Sequence, residues 1–160
     1  MKMNTDMKRR VFLKGSMAAG TMAVAAGAGL LTPQAVWAAW PDKAFHAKSS
    51  DDALSGVYGM GKTEASDKIK IKAPDIAENG AVVPVTVSTD IPGVESIAIL
   101  ASANATPLIA VFNLGKTTAA DISTRIKMGK TGDVIGVIKA GGKLYANRKS
   151  VKVTIGGCGG

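Results

Sequence analysis

From Lys68 to the end of the chain, apolar and polar positions alternate with a period of two, beginning where Ile69 and Ile71 interleave with Lys68, Lys70 and Lys72. Similar runs occupy residues 81–88, 94–102, 108–114, 122–128, 134–140, 144–149 and 151–155. Successive side chains of an extended chain point to opposite faces, so each run reads as a strand with one buried face. The punctuation is turn chemistry: Pro74, Asn79-Gly80, Pro92-Gly93, residues 104–107, Gly115, residues 129–133 and Gly141-Gly142. Gly141-Gly142 has the length and backbone freedom of a tight hairpin. Helical spacing appears once, where Ser49-Ser50-Asp51-Asp52 precedes Leu54, Val57 and Tyr58. Ser49 or its neighbours can cap that helix and the aspartates suit its positive end, while Gly56, Gly59 and Gly61 limit its length. It is expected to lie against the main body.

Seven or eight short strands with no long helix between them leave no material for parallel crossovers, which predicts antiparallel pairing and an all-β sandwich. Its core is expected from Val83, Val85 and Val87, Ile97 and Ile99, Ile122 and Ile126, and Val134 or Ile135 with Val137. Pro84 cannot donate to a ladder, so its strand must be at an edge or bulged there. Aromatic residues are only 4% of the chain, and Ile, Val and Leu must therefore supply the packing.

The first 38 residues change the charge balance. Lys8-Arg9-Arg10-Val11-Phe12-Leu13-Lys14 places a twin arginine, Arg9 and Arg10, ahead of an uncharged Ala- and Gly-rich stretch. This reads as a bacterial export signal for folded proteins, with cleavage expected after Val36-Trp37-Ala38. The uncharged stretch is too weakly apolar for a good membrane anchor, which needs about 20 predominantly apolar residues. Removing residues 1–38 leaves 122 residues, enough for one core. Five basic residues and one acidic residue leave with the signal, so the net charge falls from +8 to +4. That weakens any case for nucleic-acid binding. The expected organisation is a signal peptide at 1–38, an N-terminal segment with a short helix at 39–67, a β-sandwich at 68–155 and an arm at 156–160.

The single cysteine lies in that arm, Gly156-Gly157-Cys158-Gly159-Gly160. Glycine on both sides removes the side chains that would anchor a core cysteine, so the sequence predicts an exposed thiol on a flexible tether. Exported bacterial proteins meet disulfide-forming machinery, yet Cys158 has no partner within the chain. One Cys and one His, His46, do not make an ordinary Cys/His metal set, although carboxylate sites remain open. His46 reads as a surface helix residue. Lys152 is the nearest cation in sequence, and nothing local prepares the thiol, whose expected pKa is the ordinary ~8.5. An enzyme would activate its nucleophile; a carrier can leave activation to others. The last strand, residues 151–155, runs directly into the glycines, and three steps from Ile155 give the sulfur a reach of roughly 10 Å. A thiol oxidoreductase or peroxidase and a structural sandwich with an idle tail are the alternatives. Asn104-Ala105-Thr106 matches a glycosylation sequon, for which chance is the expected reading in a bacterial chain.

The ending Val151-Lys152-Val153-Thr154-Ile155-Gly156-Gly157-Cys158-Gly159-Gly160 resembles the C-terminus of the SoxY family, sulfur-carrier subunits of the bacterial thiosulfate-oxidising Sox system. Residues 74–85 (PDIAENGAVVPV) and 122–128 (ISTRIKM) resemble further segments of that family, and the twin-arginine leader fits it. The resemblance implies an immunoglobulin-like sandwich paired with a SoxZ subunit in the periplasm. It implies that Cys158 is the covalent attachment point for sulfur, with Gly156, Gly157, Gly159 and Gly160 giving access. It implies a carrier without catalytic residues, metal or cofactor of its own. Haem would belong to the conjugating partner SoxXA and manganese to the hydrolase SoxB, with the sulfane dehydrogenase SoxCD acting where present.

Overall fold

The computed structural model describes residues 41–155, so the expected signal peptide and the arm at 156–160 lie outside the described residues. Two short helices come first, α1 (Asp42–His46) and α2 (Ser50–Tyr58). Nine strands follow: β1 (Glu64–Ala65), β2 (Ile69–Lys72), β3 (Ile76–Asn79), β4 (Val83–Thr89), β5 (Val94–Ala101), β6 (Leu108–Asn113), β7 (Asp121–Ile126), β8 (Gly132–Ala140) and β9 (Lys143–Ile155). None of the described helices is long and apolar enough to cross a membrane.

The strands form two sheets. The larger runs β1-β9-β8-β5-β6, with β3 also paired to β9, and the smaller runs β2-β4-β7. The alternation predicted for β4 holds throughout: Val83, Val85 and Val87 are buried between the sheets, while Pro84, Thr86 and Ser88 point outward. Ile97, Ile99, Ile126 and Val134 meet them, and Ile122 packs at the margin of the same core. Pro84 pairs with Arg125 of β7, but β2 ends at Lys72, which is opposite Thr86. Proline therefore stands beyond the end of one neighbour, an edge position within a middle strand.

The centre of the larger sheet is buried on both faces. In β5 every residue from Ser96 to Ala101 is buried. Ile97, Ile99 and Ala101 face the smaller sheet; Ala98 and Leu100 face a second cluster with Ala44, Ala53 and Leu54 of the helices. Strand β8 divides likewise, with Val134 and Ile138 in the first cluster and Val137 in the second. Val134 and Val137 therefore do not share a face, and the expected pairing of Val137 with the sandwich core is corrected: Val137 belongs to the helix side. The fold has three layers, helices, six strands and three strands.

Local chemistry fixes the helix layer. Ser49 caps α2, its Oγ accepting the Asp52 N–H at 3.1 Å, and Gly59 ends the helix at φ 71°, a left-handed conformation that glycine adopts without strain. Gly56 lets α1 approach closely, since a Cβ there would stand 2.8 Å from the Ala44 Cβ. The Ser96 hydroxyl, buried on β5, donates to the Tyr58 hydroxyl at 3.0 Å and ties this layer to the sheet. Burial raises the Tyr58 pKa, partly offset by that hydrogen bond.

Three expectations need correcting. Pairing is not wholly antiparallel, because β1 and β3 both run parallel to β9. Two expected strands at 144–149 and 151–155 are one 13-residue strand, β9. Its neighbours change along its length: β8 pairs with Lys143 through Val151 on one edge, while on the other β1 pairs with Tyr145 and Ala146 and β3 follows from Lys152. Finally, α1, β1 and β3 were not anticipated by the residue pattern.

Candidate functional site

The root of the C-terminal arm is the end of β9, and it is held from three sides. Val151 is fully buried in the core, a fixed point from which the strand emerges. On one flank β3 pairs in parallel, Ile76 opposite Lys152, Ala77 opposite Val153 and Asn79 opposite Ile155. The Lys152 N–H donates to the Asp75 carbonyl at 2.9 Å, and the Thr154 hydroxyl to the Glu78 carbonyl at 3.1 Å. On the other flank Thr131 Oγ1 accepts the Val153 N–H at 2.9 Å. A strand bonded on both flanks to within two residues of its last paired residue does not fray freely. Cys158 and its glycines, Gly156, Gly157, Gly159 and Gly160, lie outside the described residues, as do Arg9 and Arg10.

The surroundings of the root are also fixed by polar side chains. Asn79 Oδ1 accepts the Ala81 N–H at 2.8 Å, closing the turn after β3. The next carbonyl, that of Gly80, accepts the Met128 N–H at 2.7 Å, which joins this turn to the end of β7. Asn104 donates from Nδ2 to the Lys127 carbonyl at 2.7 Å and accepts the Gly129 N–H at 2.9 Å through Oδ1. Both ends of that amide are therefore engaged, giving Asn104 a structural role that needs no sugar. An open groove of about 700 Å³ lies here between residues 103–109 and the stretch from Arg125 to Lys130, with Arg125, Lys127 and Lys130 along one side.

His46 is exposed on α1, where Nδ1 lies 2.9 Å from the Asp42 carbonyl oxygen and 3.5 Å from its carboxylate. It is the surface helix residue that the sequence predicts. Among the described residues no three His, Cys, Asp or Glu side chains gather to hold a metal ion. The sequence did not mark Asn79, Asn104 and Thr131 as supports of the end of β9 and the turns beside it. Asn79-Gly80 was visible only as a turn and Asn104 only within a sequon; Thr131 carries no local signal, because its partner Val153 is 22 residues away.

The described chain is a β-sandwich whose last strand is pinned by the parallel strand β3, and in the sequence that strand is followed by the glycine-flanked Cys158. The class is a β-sandwich with its last strand anchored along both edges. The family model of SoxY, sulfur oxidation protein SoxY, matches residues 54–158, and the chain belongs to that family. The solved structure of the sulfur carrier protein SoxY from Chlorobium limicola f thiosulfatophilum is 45% identical, covers 72% of this chain and 100% of its own, and superposes with a TM-score of 0.61. A superoxide reductase (neelaredoxin) from Ignicoccus hospitalis has 19% identity and a TM-score of 0.48, covering 71% of this chain and 91% of its own. A search of curated proteins found no match.

Proposed function

We propose that this protein is the sulfur carrier of a thiosulfate-oxidising system, holding pathway intermediates covalently on Cys158. The observation that carries the reading is the family match extending to residue 158, on a chain whose last strand is anchored up to Ile155. Oxidative conjugation joins the Cys158 thiolate to the sulfane sulfur of thiosulfate, forming an S–S bond and releasing two electrons to a haem-containing partner, SoxXA. Hydrolysis then adds water across the terminal S–S bond. The sulfonate departs as hydrogen sulfate and the persulfide keeps the other proton. The dimanganese hydrolase SoxB performs that step, and SoxCD oxidises the remaining sulfane sulfur where it is present. Catalytic groups, haem and manganese reside in those partners, and this chain acts as their covalently attached substrate rather than as an enzyme.

The twin-arginine signal at Arg9 and Arg10 directs the folded chain to the periplasm, with residues 1–38 removed. A folded-protein translocon can move an assembled pair, so a SoxZ subunit lacking its own signal would cross with this chain. Gly156, Gly157, Gly159 and Gly160 leave the thiol unobstructed in a partner's cleft. The test is intact-mass analysis of native protein during thiosulfate oxidation, before and after reduction. Reducible adducts confined to the C-terminal peptide and lost in Cys158→Ser are expected. A Cys158→Ser protein that still supports thiosulfate oxidation would overturn the proposal.

A further inference from the structure

The cations of the two sheets are treated differently. On the larger sheet four of the five cations among the described residues are paired, Lys152 being the exception: Lys139 with Glu95 at 2.8 Å, Lys143 with Glu64 at 3.0 Å, Lys149 with Asp75 at 3.0 Å and Arg148 with Asp133 at 3.9 Å. On the outer face of the smaller sheet, Lys70 and Lys72 of β2 and Arg125 of β7 are exposed, with Lys127 just past the end of β7. None of these four is in an ion pair among the described residues. Between them lie Thr86, Ser88 and Ser123, with Thr86 and Ser123 joined hydroxyl to hydroxyl at 2.7 Å. The register sets Lys70 opposite Ser88, Lys72 opposite Thr86 and Arg125 opposite Pro84. Asp121, opposite Ser88, is the one carboxylate in these strands, and it lies at the other end of β7 from Arg125.

We infer that this face docks an acidic partner, a processing enzyme that presents carboxylates around the cleft admitting the arm; the inference rests on the carrier reading. Position supports it. Lys127 adjoins Met128, whose N–H is bonded to the Gly80 carbonyl, and Gly80 adjoins Asn79, the residue opposite Ile155. Lys130 adjoins Thr131, which holds Val153. The cationic end of the smaller sheet therefore borders the root of the arm. The face also has the chemistry of a passing encounter. A permanent interface resembles a core laid open, whereas this surface offers hydroxyls and unpaired charge, with no large apolar side chain among the outward residues of β2, β4 and β7 and only Val82, just ahead of β4, exposed beside Lys127. Charge accelerates encounter and fixes orientation without demanding slow release, which suits a carrier served by successive enzymes.

The experiment uses the mature chain in its native complex, loaded chemically. Tetrathionate attacked by the Cys158 thiolate leaves the S-thiosulfonate on the protein and releases thiosulfate, so loading requires no docking. The probe is the dimanganese hydrolase, and sulfate release is followed at about 20 mM and about 500 mM salt. Reversal of Lys70, Lys72, Arg125 and Lys127 to Glu should lower kcat/KM at least tenfold at low salt, leave kcat unchanged, and lose most of its effect at high salt. The same positions changed to Gln should give a smaller loss of the same kind, and they keep the test valid if the reversed chain folds poorly. Equal kcat/KM at low salt would overturn the inference. So would an equal loss on reversing Lys143 and Lys149, which would trace the effect to net charge rather than to this face. Charge-dependent binding to phosphatidylglycerol vesicles with hydrolase kinetics unaltered would assign the face to a membrane and overturn it as well. A chain that tetrathionate does not load on Cys158 would instead defeat the carrier reading.

Discussion

The two sheets share one core, but their second faces meet different surroundings. Strand β5 of the larger sheet is buried on both sides because helices cover the face turned away from the sandwich, and Leu100 is as inaccessible as Ile99. Strand β4 occupies the middle of the smaller sheet, yet only Val83, Val85 and Val87 are buried; Thr86 and Ser88 remain partly exposed. A sheet covered on both sides can serve as a rigid body, and a sheet covered on one side still has a surface to offer. The arm draws on both. Its root strand β9 belongs to the larger sheet, and the polypeptide bordering its exit comes from the end of the smaller one.

The largest expected effect tests the burial half of that contrast. Leu100→Ala removes a side chain packed between β5 and the helices, which should cost about 3 kcal/mol, within the usual range of roughly 2–5 for such a deletion. Thr86→Ala on the open face of β4 loses one exposed hydroxyl pair, a cost of about 1 kcal/mol or less. Urea denaturation of both variants checks the difference. Comparable losses would mean that the helix layer is not the second cover of the larger sheet.

That layer also marks the limit of what the residue pattern conveyed. Alternation was clear in β4 and β7, where one face is wet, and the buried valines and isoleucines there follow from it directly. In β5 and β8 both faces are dry, so an apolar run carries no sign of which residue points which way. Val134 and Val137 could be placed together from sequence although they face opposite layers. Strand β3 was obscured by its ends, because Pro74 and Asn79-Gly80 are turn signals and Glu78 interrupts the apolar residues. What makes residues 76–79 a strand is β9, some 76 positions later, through pairs such as Ala77 with Val153. The cysteine and its glycines were visible because their chemistry is local. The polar supports of the root were not, since each acts on a distant segment.

A smaller effect should come from the contact between the sheets. Gly136 lies on β8 facing the smaller sheet, and a Cβ there would stand 2.9 Å from Val87 Cγ1 and 3.4 Å from Ile71 Cδ1. Alanine would gain about 0.5 kcal/mol by restricting the unfolded chain. It would also press on Val87, which is fully buried and stiff at its branched Cβ, so crowding should win and the net loss should be about 1–2 kcal/mol. Thermal unfolding of Gly136→Ala measures this. A stabilised variant would show that the two sheets have room to separate, and the shared core would then be a looser partner for the arm than its geometry implies.

The smallest effect distinguishes paired from unpaired charge. The hydrogen bond from Lys139 holds the Glu95 carboxyl below its ordinary pKa; desolvation opposes it, and the remaining Lys139 attraction and a Gly142 backbone hydrogen bond add smaller lowering effects. For an acid depressed in the folded state, the stabilisation is fully present above the unfolded pKa and is lost as pH falls through the folded one. Glu95→Gln should therefore melt slightly below the parent at neutral pH, and the two should converge on acidification below the ordinary glutamate range near ~4.3. Both groups are exposed, so the neutral-pH gap should be the least of the three effects. Arg125→Gln has no carboxylate partner among the described residues to lose, and its melting temperature should keep a constant offset from the parent across the same acid range. An Arg125 offset that vanished with acid would reveal a carboxylate already bound to the open face. The division between neutralised and available cations would then fail on the open face.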